Sequence, residues 1–159
     1  MRKLLIHAVL AIVAAGSCVA IMAAPASDPV VGTWKLNSSK STFTAGPALK
    51  GQTRIYSQSG QNISLVMKTV GADGKEMTSN TTYQLDGKDY PVMGVADYDS
   101  LSAQQVDSNT AKFIFKKGGK AVGTSSRMVS ADGKTLTSKS KVTTAKGEQS
   151  ENALVFDKQ

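Results

Sequence analysis

The sequence predicts an all-β fold, an antiparallel up-and-down β-barrel of about eight to ten strands that follows an N-terminal signal segment. After residue 50, short runs alternate between apolar and polar residues, with the period of two that is typical of half-buried strands. Asp-Gly and Gly-Gly pairs separate several of these runs and supply the positive φ angles that tight hairpin turns need. Thr, Ser and Gly are plentiful while aromatic residues make up 6% of the chain, a composition that suits short strands joined by turns.

Residues 1–26 have the plan of a secretory signal peptide followed by a short linker. A basic start at Arg2 precedes residues 4–13, which are almost entirely apolar, and small residues follow. We expect cleavage between Ala20 and Ala26, so that the mature protein is periplasmic or secreted. The excess of basic residues, 19 against 12 acidic ones, implies in addition a weak attraction to anionic envelope surfaces.

Two alternatives to cleavage are open for this segment. The run Ala15-Gly16-Ser17-Cys18 resembles a lipoprotein box, which would leave the protein lipid-anchored through Cys18. The apolar run is also nearly long enough to cross a bilayer as an uncleaved anchor. No other segment has that length of apolar residues, so we predict no transmembrane domain in the mature protein.

The first strand is predicted over residues 33–37, inside the motif Gly32-Thr33-Trp34-Lys35-Leu36. Gly32 allows the chain to turn tightly into the strand, and Trp34 is predicted to plug one end of the barrel. A cation such as Arg127 is expected to stack on the Trp34 ring, because guanidinium groups favour aromatic faces. Gly32 and Trp34 are therefore predicted to be structural residues.

The segment over residues 38–51 is predicted to be an irregular loop that folds over one barrel mouth. Gly46-Pro47 interrupts it, and no helical period surrounds its one large apolar residue, Phe43. From Gln52 onward the chain is predicted to be a meander of antiparallel strands. These strands cover residues 53–57, 63–68, 77–85, 89–93, 101–107, 112–116, 121–130, 135–144 and 149–156.

A sheet of about ten strands is expected to close. Open twisted sheets rarely extend further, and their free edges promote aggregation. Closure into a barrel removes both edges, while a β-sandwich is the alternative arrangement. The length that follows the signal segment is enough for one hydrophobic core, so residues 27–159 are predicted to form a single domain.

The opening motif resembles that of lipocalins and fatty-acid-binding proteins. Residues 32–37, followed by Lys40, Ser41 and Phe43, are most similar to small exported bacterial proteins with a lipocalin-like (calycin-type) barrel of uncharacterised function. The resemblance implies a lipocalin-like domain over residues 27–159 and an apolar or amphipathic ligand. Fatty-acid-binding proteins carry a two-helix lid after the first strand and an Arg-x-Tyr clamp near the C-terminus, and this sequence matches neither feature.

The residue types that perform most hydrolytic and metal chemistry are nearly absent. The single His, His7, and the single Cys, Cys18, both fall in the signal segment. A mature protein without imidazole or thiol has no Cys or His metal site and no Ser-His-Asp or Cys-His pair. Asp97 and Asp99 flank Tyr98, but two loop carboxylates without a positioned partner do not indicate a glycosidase. We predict no enzyme activity, no cofactor and no metal.

Five residues are candidates for lining a ligand cavity inside the barrel: Met67, Met77, Tyr83, Arg127 and Met128. Methionine side chains adapt to irregular apolar shapes, and a tyrosine hydroxyl adds a polar tip. An inward guanidinium needs an anionic partner, which a ligand could supply. The alternative for these residues is ordinary core packing or, for Arg127, the contact with Trp34.

Nucleic-acid binding is not expected. Lys112 and Lys116 alternate with Phe113 and Phe115, and this alternation places the Phe rings in the core and the Lys side chains in solvent. The leading hypothesis is an exported, non-catalytic β-barrel that binds a small apolar or amphipathic ligand. The alternative is an envelope-associated protein with a packed interior whose outer face binds a partner protein or polysaccharide.

Overall fold

Ten of eleven strands close into a barrel in the computed structural model of the chain, which describes residues 27–44 and 48–159. The strands are β1 (Gly32–Leu36), β2 (Thr42–Phe43), β3 (Gly51–Ser59), β4 (Asn62–Val70), β5 (Glu76–Tyr83), β6 (Asp86–Met93), β7 (Ser100–Gln105), β8 (Thr110–Lys117), β9 (Lys120–Val129), β10 (Thr135–Thr143) and β11 (Gln149–Lys158). The predicted signal segment, with His7 and Cys18, and the Gly46-Pro47 pair lie outside the described residues.

Each strand from β3 to β11 pairs with the next strand along the chain, and β1 lies between β3 and β11. In this closing seam, Trp34 pairs with Arg54 of β3 on one side and with Lys158 of β11 on the other. Every pairing in the barrel is antiparallel. The predicted up-and-down barrel is confirmed, and the β-sandwich alternative is wrong because a single sheet closes on itself.

Glycines with a positive φ occupy three of the predicted Asp-Gly and Gly-Gly turns. Gly74, Gly119 and Gly133 have φ values of 84°, 78° and 69°. Strand β6 already begins at Asp86, and its register against β7 shifts between Asp86 and Asp89. The predicted Asp86-Gly87 turn therefore lies within β6, at the point about which the β5–β6 residue pairs are symmetrical. Gly87 has a φ of 78°, and a glycine in that conformation suits a β-bulge as well as it suits a turn.

The segment after β1 is more regular than the sequence predicts. It forms a 3-10 helix over Ser38–Lys40 and then β2, which pairs Phe43 with Asn152 of β11. The N–H of Asn37 donates to the Val155 carbonyl of β11 at 2.8 Å, so this segment follows the edge that β1 leaves free. In the described part of the chain, no helix has the length and apolarity needed to cross a membrane.

The wall of the barrel has a short ladder between β5 and β6. These strands form two residue pairs, Asn80 with Met93 and Thr81 with Val92. The Thr81 hydroxyl adds one side-chain contact by donating to the Pro91 carbonyl at 2.8 Å. By contrast, β4 and β5 pair along their whole length. Few backbone hydrogen bonds therefore join β5 to β6.

Side chains fill one end of the barrel. Trp34 is 0% exposed, and its indole N–H donates to the Val30 carbonyl at 2.6 Å. Residues 28–31 cross this end as a turn, in which the Val31 N–H donates to the Asp28 carbonyl at 3.0 Å. The other large, fully buried side chains of the core cluster are Tyr83, Phe156, Ile63, Leu136, Val30 and Val129.

Candidate ligand-binding cavity

Beyond the packed end, the barrel encloses a cavity of about 410 Å³. Its wall comes from alternate positions of the strands, because successive side chains on a strand point to opposite faces. Apolar side chains of the wall include Leu65, Met67, Val92, Leu101, Phe115 and Leu154. Polar side chains of the wall include Gln52, Arg54, Thr69, Ser79, Ser140 and Asn152. The side-chain oxygen of Asn152 is buried there without a hydrogen-bond partner in the described structure.

A buried ion pair lies at the closed end of this cavity. Arg127, 3% exposed, places Nη2 2.8 Å from Asp28 Oδ2, and its Nη1 donates to the Tyr83 hydroxyl at 3.1 Å. Burial raises the pKa of Tyr83, and the positive charge of Arg127 offsets only part of that rise. The tyrosine is therefore neutral and accepts a hydrogen bond, while Asp28, from the segment before β1, neutralises the guanidinium.

Arg54 is the second arginine of the interior, and it forms no ion pair with any residue that the structure describes. Its guanidinium carbon lies 4.3 Å from the centre of the Phe156 ring, and its Nε donates to Gln52 Oε1 at 2.9 Å. Gln52 is itself fixed, because its Nε2 donates to Thr69 Oγ1 at 2.8 Å. These contacts hold the guanidinium against the cavity wall.

The β6–β7 connection, residues 94–99, forms a mouth loop over the open end of the cavity. Asp97 Oδ1 accepts a hydrogen bond from the Ala145 N–H in the β10–β11 turn at 2.8 Å. Asp99 Oδ2 accepts one from the Gly118 N–H in the β8–β9 turn at 2.9 Å. The two carboxylates thus tie the mouth loop to two other turns of the barrel.

Tyr98 and Gly94 fix the two ends of the mouth loop. The Tyr98 ring stacks on Phe115 with ring centres 4.4 Å apart. Burial raises the pKa of Tyr98, and the nearby charge of Arg54 opposes that rise. Gly94 has a φ of 77°, and a Cβ at this position would collide with the Thr78 carbonyl of β5. Only glycine fits here, so the backbone of the loop packs directly on β5.

The structure brings four of the five predicted cavity residues to the interior. Met67, Tyr83 and Arg127 lie along the cavity, and Met77 contributes to its lining while 54% of its surface is exposed. Met128 does not belong with them, because it is 51% exposed and points out of the barrel from β9. Consecutive strand residues face opposite sides, so an inward Arg127 requires an outward Met128.

The cation beside Trp34 is Lys158, and the predicted stacking of Arg127 is wrong. Lys158 Nζ lies 5.1 Å from the centre of the Trp34 ring. Gly32 gives this lysine room, because a Cβ on Gly32 would lie 2.9 Å from Lys158 Cε. Arg127 instead lies deeper in the barrel. Its guanidinium carbon is 5.9 Å from the centre of the Tyr56 ring, and the group forms an ion pair with the Asp28 carboxylate.

Arg54 is the cavity residue that sequence analysis missed. Gln52, Arg54 and Tyr56 alternate along β3 and therefore share one face. The Tyr56 side chain marks that face as inward, since it is buried. The alternation with Tyr56 could have identified Arg54 as an inward residue. A charged residue on a strand normally faces water, however, so the sequence alone favours an outward position.

The acidic side chains of the described residues are dispersed, and two of them anchor the mouth loop. Within residues 27–44 and 48–159, no three His, Cys, Asp or Glu side chains are grouped so that they could hold a metal ion. Asp97 and Asp99 each accept a backbone hydrogen bond that anchors the mouth loop. The two carboxylates that flank Tyr98 therefore have a structural role.

Comparison with solved structures places this architecture among known barrels. The crystal structure of Rv2717c from M. tuberculosis matches with a TM-score of 0.51 and 14% sequence identity, over 82% of this chain and 93% of that chain. The fold is a closed up-and-down barrel of the lipocalin-like type. At this sequence identity the likeness shows the fold alone.

Two weaker matches are structures of ligand-binding proteins. Zebrafish ileal bile acid-binding protein complexed with cholic acid matches with a TM-score of 0.47 and 9% identity, over 82% of this chain and 99% of that chain. The siderocalin Ex-FABP, described as functioning through dual ligand specificities, matches with a TM-score of 0.38 and 8% identity, over 82% and 74%. No protein-family model matches the sequence, and no curated protein is similar enough to match.

Proposed function

We propose that this lipocalin-like barrel binds a small apolar or amphipathic molecule in its cavity and catalyses no reaction on it. The observation that carries the proposal is the cavity of about 410 Å³. Sites for small molecules are concave, mostly apolar, and roughly 300–1,000 Å³ in volume. Apolar side chains such as Leu65, Leu101 and Phe115 would contact the body of such a ligand, and the mouth loop would shield it from water.

We further propose that binding takes place outside the cytoplasm. The support is the sequence pattern of residues 1–26. The fold adds one constraint, because Asp28 pairs with Arg127 inside the barrel and must be retained in the mature chain. Intact-mass measurement of the extracytoplasmic protein tests this. A cut between Ala20 and Ala26 supports export, a full-length chain contradicts it, and a diacylglycerol adduct on Cys18 moves the proposal to a lipid-anchored protein.

Native mass spectrometry of protein purified gently from its own host, before and after solvent extraction, tests the binding function. We expect a bound apolar molecule that extraction removes. The extracted protein is then titrated with the neutral fluorescent probe N-phenyl-1-naphthylamine. Ser79→Phe should block probe uptake, because Ser79 is buried in the cavity wall.

A matched control lies one residue away. Thr78→Phe adds the same ring on the exposed side of the same strand and should leave probe uptake unchanged. Bare protein throughout, together with no probe uptake by the wild type, would end the proposal of a cavity ligand.

Those negative results would favour the second candidate, a protein whose outer face binds a partner protein or polysaccharide. One observation supports it. A groove of about 770 Å³ runs over the barrel, and its lining includes the outward residues Lys112, Lys139 and Lys141 together with Thr124 and Ser126. Glu151 lines the same groove and pairs with Lys141, so Lys112 and Lys139 would supply the positive charge for a polar, anionic partner.

A further inference from the structure

The two arginines inside the barrel differ in a way that bears on the ligand. Arg127 is neutralised by Asp28 at 2.8 Å, whereas Arg54 has no carboxylate partner among the described residues. Arg54 is half-buried, so its guanidinium keeps part of its contact with water while the cavity is open. A ligand that fills the cavity would remove that contact, which is costly unless an opposite charge or strong hydrogen bonds compensate it. An unpaired guanidinium on the wall of a cavity therefore favours an anionic occupant.

The contacts of Arg54 leave its recognition edge free. Its Nε is used by Gln52 and its face packs on Phe156, while Nη1 and Nη2 donate to no described residue. A guanidinium binds a carboxylate, sulfonate or phosphate group through two parallel N–H···O bonds from such an edge. Because Gln52 and Phe156 already fix the side chain, little conformational freedom is lost when an anion binds.

We propose that the cavity takes an anionic amphipath, whose carboxylate, sulfonate or phosphate group pairs with Nη1 and Nη2 of Arg54. Its apolar body contacts Leu65, Leu101 and Phe115, which line the same cavity. Arg54 determines the specificity for charge, and Gln52 is a positioning residue that orients the guanidinium. This inference rests on the proposed function and adds the chemical class of the ligand.

A pair of fluorescent probes tests the inference. 1-Anilinonaphthalene-8-sulfonate and N-phenyl-1-naphthylamine share one aromatic frame and differ in the sulfonate. Their affinities are measured on wild type, Arg54→Gln and the surface control Lys120→Gln, which removes the same charge from an exposed position outside both the cavity and the outer groove. Circular dichroism and thermal unfolding confirm that each variant is folded, and Ser79→Phe shows which part of each signal comes from the cavity.

We expect Arg54→Gln to lower the affinity for the sulfonate roughly 10- to 100-fold, the range for loss of hydrogen bonds to a charged group. The affinity for the neutral probe should stay within about threefold, and Lys120→Gln should change the affinity for neither probe. Arg54→Lys keeps the charge but loses the planar fork, so it should cost the sulfonate less than Arg54→Gln. If Arg54→Gln does not fold, the affinities of Arg54→Lys for the two probes are compared with those of the wild type instead.

Two outcomes would overturn the inference in distinguishable ways. If both probes bind the wild type inside the cavity and the Arg54 variants change neither affinity, the anionic class is wrong while the proposed function stands. If neither probe binds the wild type, the proposed function fails and the inference fails with it.

Discussion

Arg127 and Met128 illustrate what strand periodicity decides for single residues. The sequence marks both as candidate cavity residues, yet neighbours on a strand face opposite sides, so only one of them can point inward. The structure buries Arg127 and leaves Met128 exposed. Strand periodicity alone could have shown that Arg127 and Met128 do not both line the cavity. It could not have identified Asp28 as the partner of Arg127, because the two residues lie far apart in the sequence.

Removal of the Asp28 charge tests the cost of that buried pair. Asp28→Asn leaves the Arg127 guanidinium buried without a counter-charge, and we expect the free energy of unfolding to fall by about 3–5 kcal/mol. Denaturant unfolding measures this value. Glu151→Gln is the matched control, because its pair with Lys141 is exposed on both sides and should contribute at most about 1 kcal/mol. Equal losses in the two variants would contradict the structural role of Asp28.

At the scale of elements, the hairpins were the most predictable part of the fold. The alternation of apolar and polar residues and the glycine turns at Gly74, Gly119 and Gly133 can each be recognised within a short stretch of sequence. Two features escaped prediction. β2 is two residues long and forms only because β11 offers a free edge, and the mouth loop is ordered by contacts to turns distant in sequence. Such features depend on neighbours in space, which a local pattern does not contain.

Two glycine variants separate the energetic cost of backbone strain from the cost of a steric collision at the mouth loop. Gly94 and Gly87 have φ values of 77° and 78°, but only at Gly94 would a Cβ collide with a neighbouring backbone. Gly87→Ala should therefore cost only about 1–2 kcal/mol for the left-handed conformation. Gly94→Ala should cost roughly 2–5 kcal/mol, because the collision with the Thr78 carbonyl adds to that strain.

Denaturant unfolding compares these two glycine variants. In addition, Gly94→Ala should speed the exchange of the neutral probe, because displacement of the loop opens the cavity. Equal stabilities and equal exchange rates for the two variants would show that the mouth loop does not pack on β5 as described.

For the whole molecule, the barrel was predictable and its cavity was not. The number of strands requires closure, because an open sheet of this length leaves aggregating edges. Whether a closed barrel is hollow depends on how side chains from ten strands meet, and that sum is not visible in any one strand. The lipocalin resemblance carried by the motif around Trp34 indicated the fold correctly and contained nothing about Arg54.

Acid should destabilise the whole barrel. Hydrogen bonds from neighbouring N–H and O–H groups lower the pKa of five exposed aspartates below their ordinary range: Asp86, Asp99, Asp107, Asp132 and Asp157. A lowered pKa in the folded state means that the unfolded chain binds protons more readily, so stability is present above the ordinary pKa near 4 and is lost as pH falls.

We therefore expect the midpoint of denaturant unfolding to change little between about pH 6 and 8 and to fall below about pH 4. Unfolding curves at a series of pH values measure this dependence. Asp99→Asn should flatten part of the acid limb, since the Gly118 N–H is the main cause of its shift. A midpoint that rises on acidification from pH 5 to 3 would contradict the prediction.

The seam in which β1 lies between β3 and β11 has a consequence for the order in which the protein folds. Each hairpin from β3 onward can form as soon as its two strands exist, but Trp34 meets Lys158 only after β11 has left the ribosome. Pairing across nearly the whole described chain also carries a large loop-closure entropy, which slows folding. Closure of the barrel is therefore expected to come late in folding, after the hairpins from β3 to β11 have formed.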